Sequence, residues 1–305
     1  MNSVELERVR KAYGEFIAVN DISIEIEQGT VFGLLGPNGA GKTSTIRMMI
    51  GITAPDAGAI RIFGQPFSRE LLTRIGYLPG ERGLYRKMTV RDHLSFMAQL
   101  HGIASAEASR RAADWCRRLD LGAWMNKKVE ELSKGMQQKV QFIAALIHDP
   151  DLVIMDEPFY GLDPVNAAVL KDVLLEVKRA GRTILFSTHR MDQVEKLCDA
   201  ICLINRGRAV LQGGLKQVKA RYGRNNVQIE YTGSDAFLNQ NGLIESFNDY
   251  GQYVEVRLRP GADSQALLRE VSACARVSRF EVVEPSLEDI FIEVVSGPEQ
   301  VTANA

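Results

Sequence analysis

Short apolar runs that end in turn residues alternate with helical periodicities over about the first 215 residues of the chain. Residues 22–26 alternate with period two, which is typical of a half-buried strand, whereas the run that ends at residue 155 is continuously apolar, as in a strand buried on both faces. The predicted strands are 22–26, 31–35, 60–63, 75–78, 151–155 and 183–187, and the predicted helices are 42–50, 89–101, 106–119 and 165–179. This alternation predicts an α/β fold with a mostly parallel sheet.

Two regions depart from the alternation. Residues 85–148 carry helical patterns almost throughout and predict a helical lobe on the α/β core, which spans residues 1–215. Beyond Gly213 and Gly214 the pattern predicts a small α+β domain at 216–297, followed by a frayed tail at 298–305. Its predicted strands are 227–231, 254–258 and 279–283, and its predicted helices are 215–222, 264–271 and 286–295.

Two of these helices begin with residues that resemble a capping box. Thr89 is followed by Asp92, and Ser286 is followed by Asp289, so in each pair a hydroxyl residue precedes an acid by three positions. We therefore expect both helices to start at these hydroxyl residues.

The composition is that of an ordinary soluble globular protein, with 305 residues, 45% hydrophobic, 25% charged and a formal net charge of −1. This near-neutral balance predicts no nucleic-acid partner held by bulk electrostatics. The N-terminus lacks the apolar segment of a signal peptide, and no stretch approaches the roughly 18 apolar residues of a membrane span. We therefore expect a soluble, cytoplasmic chain that reaches a membrane only through a partner.

The four cysteines form neither a C-x-x-C pair nor a cluster with zinc-like spacing. Cys202 lies in an apolar, strand-like run. We interpret all four as reduced packing residues, with a redox role as the alternative. They are Cys116, Cys198, Cys202 and Cys274.

A glycine-rich loop follows the predicted strand 31–35 and precedes the predicted helix 42–50, and it fits the pattern G-x-x-x-x-G-K-[ST]. Glycines let backbone N–H groups converge on phosphate oxygens, and the helix N-terminus adds partial positive charge. Lys42 is expected to reach the β- and γ-phosphates, and the Thr43 hydroxyl to hold Mg²⁺. The alternative is a glycine-rich turn whose lysine faces water. The predicted nucleotide-binding residues are Gly36, Pro37, Asn38, Gly39, Ala40, Gly41, Lys42, Thr43 and the adjoining Ser44.

Two carboxylates, Asp156 and Glu157, come directly after the apolar run 152–155. They are expected at the C-terminal edge of the sheet, where α/β proteins bind ligands. Asp156 suits the shell of Mg²⁺, and Glu157 suits a base that polarises a water aimed at the γ-phosphorus. The alternative is a solvated pair of turn acids.

The segment 132–138, Leu-Ser-Lys-Gly-Met-Gln-Gln, precedes a helical pattern and resembles the L-S-G-G-Q signature of the ATP-binding-cassette (ABC) superfamily. Lys134 replaces the first of the two glycines and Met136 replaces the glutamine, whereas Ser133 and Gly135 remain. The resemblance implies that these two contact the γ-phosphate of an ATP bound by another subunit. Residues 136–138 are similar to a branch of drug and ion exporters. Taken alone, the segment would be an ordinary serine-capped helix.

Further motifs of this family follow in the expected order over about residues 4–220. Tyr13 resembles the aromatic residue that stacks on adenine, although a lone tyrosine is more often a surface residue. The segment 161–163 resembles a loop that crosses the dimer interface, with Tyr160 where a serine is usual. His189 matches the histidine that contacts the γ-phosphate, although a lone histidine is more often structural.

One departure from the family concerns the residue after Pro79. A glutamine that helps to hold Mg²⁺ and water is usual there, but this chain has Gly80 followed by Glu81. We hypothesise that Glu81, or a water near Gly80, supplies the missing contact. The alternative is that Glu81 faces a partner or solvent.

The resemblance implies a P-loop ABC cassette that binds ATP and Mg²⁺ and hydrolyses ATP at the interface with a second copy of itself. It implies integral membrane permease subunits as further partners, which would hold the chain at the inner face of the cell membrane. The segment 285–291 resembles the ending of cassettes that serve two-component drug and sodium exporters, which favours export. The alternatives are a soluble ABC ATPase acting on ribosomes or DNA, and another P-loop enzyme such as a small-molecule kinase.

Overall fold

The computed structural model describes residues 1–80, 83–222, 226–240 and 242–296. The chain divides into two compact units, Met1–Leu215 and Lys216–Ala305. Within the described residues, no helix combines the length and the apolar character needed to span a membrane. The predicted tail at 298–305 lies outside the described residues.

The first unit contains two sheets and a set of helices. Its strands are β1 (Asn2–Tyr13), β2 (Phe16–Glu27), β3 (Val31–Leu35), β4 (Ala57–Ile62), β5 (Gln65–Pro66), β6 (Ile75–Leu78), β7 (Leu152–Asp156), β8 (Thr183–Thr188), β9 (Ala200–Asn205) and β10 (Arg208–Gly214). Its helices are α1 (Lys42–Met49), α2 (Val90–Leu100), α3 (Ser105–Arg118), α4 (Lys134–Leu146), α5 (Pro164–Arg179) and α6 (Met191–Leu197).

The central sheet has the strand order β10-β9-β3-β8-β7-β6. All pairs are parallel except β9 with β10, which confirms the predicted α/β fold with a mostly parallel sheet. Every residue of β3, β7 and β8 is buried, as expected for strands covered on both faces. Because parallel strands end at one edge, the loops after β3, β6, β7 and β8 start side by side.

A second, antiparallel sheet of order β2-β1-β4-β5 was not anticipated from the pattern. Its central strand β1 is rich in charged residues on its exposed face, so it has no long apolar run to reveal it. Apolar residues of both sheets and of α1 form one continuous core, which includes Leu6, Ile24, Ile46 and Ile154. The core therefore fixes α1, and the loop before it, between the two sheets.

Helices dominate residues 85–148, as the pattern predicted. Helix α2 begins after Thr89, whose hydroxyl accepts a hydrogen bond from the Asp92 N–H at 3.1 Å, so this predicted cap is confirmed. Helix α4 begins after Ser133, whose hydroxyl accepts from the Met136 N–H at 3.3 Å.

The second unit is an α+β arrangement, as predicted. It contains the sheet β12-β13-β11-β14, in which all pairs are antiparallel. Its strands are β11 (Asn226–Gly233), β12 (Ile244–Asp249), β13 (Val254–Leu258) and β14 (Ala275–Val283), and the helices are α7 (Leu215–Arg221), α8 (Ala236–Gln240), α9 (Ser264–Cys274) and α10 (Leu287–Ser296). Its core includes Val227, Val256 and Leu267.

The start of α10 confirms the predicted capping box. The Asp289 N–H donates to the Ser286 hydroxyl at 3.0 Å, and the Ser286 N–H donates to the Asp289 carboxylate at 3.3 Å. The two reciprocal bonds fix the first turn of this helix.

The four cysteines are free thiols, as predicted. Cys116, Cys198 and Cys202 are buried, in agreement with a packing role. The packing prediction was wrong for Cys274, which is exposed at the end of α9 because the apolar face of that helix is carried by Leu267 and Val271.

Candidate functional site

The glycine-rich loop connects β3 to α1 at the edge of the central sheet, and two of its glycines are required by the backbone. Gly36 has φ 146°, and a Cβ atom there would lie 2.1 Å from the Ile204 carbonyl oxygen. Gly41 has φ 110°, and a Cβ atom there would lie 2.3 Å from the Ala18 carbonyl oxygen. The loop therefore follows a path that side chains would block, and it ends at the N-terminus of α1, where first-turn N–H groups attract anions.

Lys42 is the first residue of α1 and is only 6% exposed. Its ammonium donates to the carbonyl oxygens of Gly36 at 2.7 Å and Pro37 at 3.0 Å. Burial lowers the pKa of Lys42, and the negative charges of Glu157 and Asp156 act in the opposite direction. Both direct partners are neutral, so a phosphate oxygen would be a stronger acceptor for this ammonium than either carbonyl.

Asp156 ends β7 and lies against the start of α1. The Thr43 hydroxyl donates to its Oδ2 at 2.8 Å, and the Ser187 hydroxyl of β8 donates to its Oδ1. The Ser187 contact is a feature that sequence reasoning missed, although its position at the end of a buried strand was a usable signal. A carboxylate and a hydroxyl side by side form a hard-oxygen donor set that fits Mg²⁺, with phosphate and water filling the other positions.

Glu157 follows Asp156 in a left-handed backbone conformation with φ 50°, which is uncommon for a residue with a side chain. Its Oε1 accepts from the backbone N–H of His189 at 3.2 Å and lies 2.8 Å from the His189 Nδ1. Its Oε2 accepts from the Thr188 hydroxyl at 3.2 Å. The structure thus brings the two predicted catalytic residues into direct contact, at the ends of neighbouring parallel strands.

These groups surround one cavity of about 810 Å³, a size typical of small-molecule sites. The predicted residues that line it are Asn38, Gly39, Ala40, Gly41, Lys42, Thr43, Ser44, Asp156, Glu157 and His189. Gly36 and Pro37 contribute through their carbonyl contacts to Lys42.

Gly80 also lines the cavity, directly beside the predicted metal ligand. A Cβ atom at this position would lie 3.3 Å from the Asp156 Oδ2, so the glycine leaves space next to the carboxylate. Glu81, for which we hypothesised a compensating role, lies outside the described residues.

Phe16 is a residue of the cavity that sequence reasoning missed. It is 62% exposed, and it pairs across the β1–β2 turn with Tyr13, the residue predicted to stack on adenine. Tyr13 does not itself belong to the cavity lining, and its ring lies 5.7 Å from the Lys11 ammonium. Directly opposed residues of a hairpin share a face, so Phe16 and Tyr13 lie on the same face of the β1–β2 hairpin.

Ser133 and Gly135 are at the start of α4 and do not belong to the lining of this cavity. Ser133 is exposed, and a Cβ atom on Gly135 would meet its nearest neighbour, the Leu162 side chain, only at 3.8 Å. Asp163 caps α5 by accepting from the Asn166 N–H at 2.9 Å, and this backbone bond is the main cause that lowers the pKa of Asp163. Tyr160, in the place of the usual serine, is 74% exposed and lines the cavity.

Comparison with known proteins gives matches over both units. The ABC transporter family model matches residues 19–160, and the model of the C-terminal domain of DrrA1-3-like ATP-binding proteins matches residues 213–295. The chain is 43% identical to the uncharacterized ABC transporter ATP-binding protein YhaQ of Bacillus subtilis (strain 168), over 95% of this chain and 97% of YhaQ. It is 32% identical to the linearmycin resistance ATP-binding protein LnrL of the same strain, over 95% of this chain and 97% of LnrL.

A solved structure of the ATP-binding subunit of an ABC transporter matches this fold with a TM-score of 0.68 and 33% sequence identity, covering 72% of this chain and 93% of that one. The similarity to YhaQ extends over nearly the whole of both proteins. The chain therefore belongs to the ATP-binding subunits of ABC transporters, is an ATPase of that family, and carries a DrrA-like C-terminal domain.

Proposed function

We propose that the chain binds ATP with Mg²⁺ in this cavity and hydrolyses it at an interface with a second copy, in order to power export through separate membrane permease subunits. The observation that carries the proposal is the convergence of Lys42, the Thr43–Asp156 pair and the Glu157–His189 pair around one cavity. Each lies at the end of a strand of the central sheet or at the start of α1.

Each group has one role in this scheme. Residues 36–44 wrap the phosphates, and the Lys42 ammonium exchanges its carbonyl partners for oxygens of the β- and γ-phosphates. Thr43 and Asp156 hold Mg²⁺, which would neutralise phosphate charge. Glu157 polarises the attacking water and accepts its proton as the bond between the γ-phosphorus and the ADP oxygen breaks, and His189 contacts the γ-phosphate.

The second copy enters because one chain presents two separate halves of a site. Ser133 and Gly135 lie at the exposed start of α4, where a hydroxyl and unpaired helical N–H groups suit an anion. We infer that they complete the cavity of the other copy by contacting its γ-phosphate. Hydrolysis removes this bridging group, which favours separation of the two copies.

Export through a permease is supported by the relatives. LnrL is named for resistance to linearmycin, and the DrrA-like match covers residues 213–295. We propose residues 1–215 as the nucleotide-binding domain, 85–148 as its helical subdomain, and 216–297 as a dimerising or regulatory appendage. The chain would then sit at the cytoplasmic face of the cell membrane through its permease.

The test is to block hydrolysis without blocking binding. We expect Glu157→Gln to bind ATP, to lose hydrolysis and to accumulate as a dimer in light scattering with ATP and Mg²⁺. Lys42→Ala is the matched control, because it should lose nucleotide binding and remain monomeric. A Glu157→Gln protein that hydrolyses ATP at the wild-type rate would refute the role of Glu157, and one that stays monomeric in saturating ATP would refute the shared site.

Crosslinking can show which surfaces meet. In a Cys274→Ser background, which removes the exposed thiol, we would introduce Asn38→Cys in the phosphate loop and Lys134→Cys beside Ser133. We expect ATP-dependent disulfide-linked dimers in the Glu157→Gln protein and none when Lys42→Ala is added. Absence of the crosslink at saturating ATP would exclude the proposed arrangement of copies.

A further inference from the structure

Thr188 is the last residue of β8, directly before His189 in the chain, and its hydroxyl contacts the Glu157 carboxylate. Strands β7 and β8 are parallel, with Asp156 opposite Ser187, so Glu157 and Thr188 follow at the same level of the sheet. The Glu157 N–H donates to the Ser187 carbonyl oxygen at 3.1 Å, which holds the two strand ends together. Thr188 is 1% exposed, so its hydroxyl is shielded from bulk water.

The hydrogen bonds of this hydroxyl determine where its proton points. The Arg190 N–H donates to the Thr188 Oγ1 at 3.1 Å, and this contact uses a lone pair of the oxygen. A threonine hydroxyl has a single proton, and it is directed at the Glu157 Oε2, 3.2 Å away. The turn after β8 therefore fixes Thr188 as a donor toward the carboxylate.

Each oxygen of the Glu157 carboxylate accepts from one group that is fixed by the end of β8, and Oε1 has a second contact with the exposed His189 ring. Oε1 accepts from the His189 backbone N–H at 3.2 Å, and it also contacts the His189 ring, whose side chain is 42% exposed. Under the proposed function, the His189 ring contacts the γ-phosphate, so its bond to Oε1 must loosen or rearrange when ATP enters. The contact from Thr188 comes from a buried side chain at the end of a central strand and does not depend on that movement.

We propose that Thr188 is a positioning residue for ATP hydrolysis, whose hydroxyl, together with the His189 backbone N–H, fixes the plane of the Glu157 carboxylate while the His189 ring engages the nucleotide. The terminal torsion of a glutamate is broad, so without a donor on Oε2 the carboxylate can rotate away from the line of the attacking water. The inference rests on the proposed role of Glu157 as the base. It assigns Thr188 no contact with nucleotide, so its loss should change turnover and leave binding in place.

The experiment compares Thr188→Val, which has nearly the same shape and lacks the hydroxyl, with Thr188→Ser, which restores it. We expect Thr188→Val to lower kcat about 10- to 100-fold, the cost of a misaligned catalytic group, with the Kd for a non-hydrolysable ATP analogue unchanged. Thr188→Ser should recover most of the rate. In the Glu157→Gln background, Thr188→Val should cause no further loss of the residual activity, because the group it positions has already been disabled.

Thr183→Val is the matched structural control. Thr183 is a fully buried threonine at the opposite end of β8, where its hydroxyl contacts the Ser3 hydroxyl at 2.7 Å and accepts from the Gly29 N–H at 3.0 Å. Loss of the Thr183 hydroxyl should lower the thermal midpoint of unfolding and leave the kcat of the folded protein unchanged. A similar loss of kcat in Thr183→Val would show that any buried hydroxyl of this strand matters, which would overturn the specific role of Thr188.

The outcomes separate this inference from the proposed function. If Thr188→Val turns over at the wild-type rate while Glu157→Gln is inactive, the inference is wrong and the proposed function stands. If Thr188→Val lowers kcat equally with and without Glu157, Thr188 acts through folding and the inference is again wrong. If Glu157→Gln turns over as the wild type does, the proposed function fails and takes the inference with it.

Discussion

His93 lies in α2 with none of its surface exposed, and within the described residues neither ring nitrogen has a hydrogen-bond partner. Burial alone lowers the pKa of this imidazole to about 4, from its ordinary value of 6.5. The folded protein therefore keeps His93 neutral at a pH at which the unfolded chain takes up a proton. The contribution of neutral His93 to the free energy of unfolding is fully present above pH 6.5 and is lost as the pH drops toward 4.

The size of this effect follows from the two pKa values. Linkage between a pKa of 6.5 and one of about 4 gives a loss of about 2 kcal/mol between pH 7 and pH 5, and about 3 kcal/mol by pH 4. His93→Leu removes the titrating group and its unpaired nitrogens, so it should lack this part of the acid sensitivity. It should also be more stable than wild type at pH 7 by about 1–3 kcal/mol, the usual cost of a buried unpaired polar group.

The assay is urea unfolding at pH 7 and pH 5, followed by tryptophan fluorescence. Both tryptophans, Trp115 and Trp124, lie in the same helical lobe as α2. His93→Gln is the control, because it keeps a buried polar group but does not titrate, and it should be less stable than His93→Leu with an equally shallow pH dependence. Burial also lowers the pKa of His148 to about 4, so some acid sensitivity should remain in every variant. A His93→Leu protein with the full acid sensitivity of wild type would refute the reasoning.

Three further predictions concern the cavity. Gly41→Ala should lower the free energy of unfolding by about 1–3 kcal/mol, because Gly41 has φ 110° and the new Cβ would lie 2.3 Å from the Ala18 carbonyl oxygen. An unchanged thermal midpoint of unfolding would contradict this prediction. Phe16→Ala should weaken ATP binding about tenfold, because the ring that would stack on the adenine base is lost. Calorimetry should show unchanged binding of tripolyphosphate, which has no base. If Tyr13→Ala weakens ATP binding and Phe16→Ala does not, the stacking residue is Tyr13. Gly80→Ala should weaken ATP binding with Mg²⁺ more than without it, because the methyl group would lie 3.3 Å from the Asp156 Oδ2. Equal effects with and without Mg²⁺ would argue against crowding of the proposed metal site.

The site residues that could be predicted are those whose side chains or backbone suit a phosphate or a metal and which directly follow a predicted strand. The loop 36–44 and the pair Asp156–Glu157 each follow a buried apolar strand directly, so the topology of a parallel sheet brings them to one edge. His189 follows β8 in the same way. For these residues, strand prediction and motif recognition were sufficient.

The parts that were missed depend on pairing between distant segments. The antiparallel sheet around β1 is set by register with β2 and β4, and no single window of sequence shows it. Phe16 enters the cavity through the same register, since it is paired with Tyr13 across a tight turn. The donors on Asp156 and Glu157 from Ser187 and Thr188 likewise follow from the pairing of β7 with β8. Residues 16–19 are all apolar and do not continue the alternation of residues 22–26, so the pattern did not indicate that β2 begins at Phe16.

The start of α4 does not belong to the lining of the cavity, and this supports the proposal that two copies share one site. A phosphate site built from a helix N-terminus needs its anion close to the first turn, since the effect falls off within that turn. Ser133 caps α4 on an exposed surface, and neither it nor Gly135 lines the cavity that contains Lys42. Under the proposed function, the helix N-terminus that completes the γ-phosphate site comes from the second copy. Ser133→Arg should therefore abolish ATP-dependent dimerisation and ATP hydrolysis, while the isolated chain still binds ATP. Calorimetry measures the binding of ATP, and light scattering measures the dimerisation. Loss of binding by the monomer would instead place Ser133 in the site of its own chain.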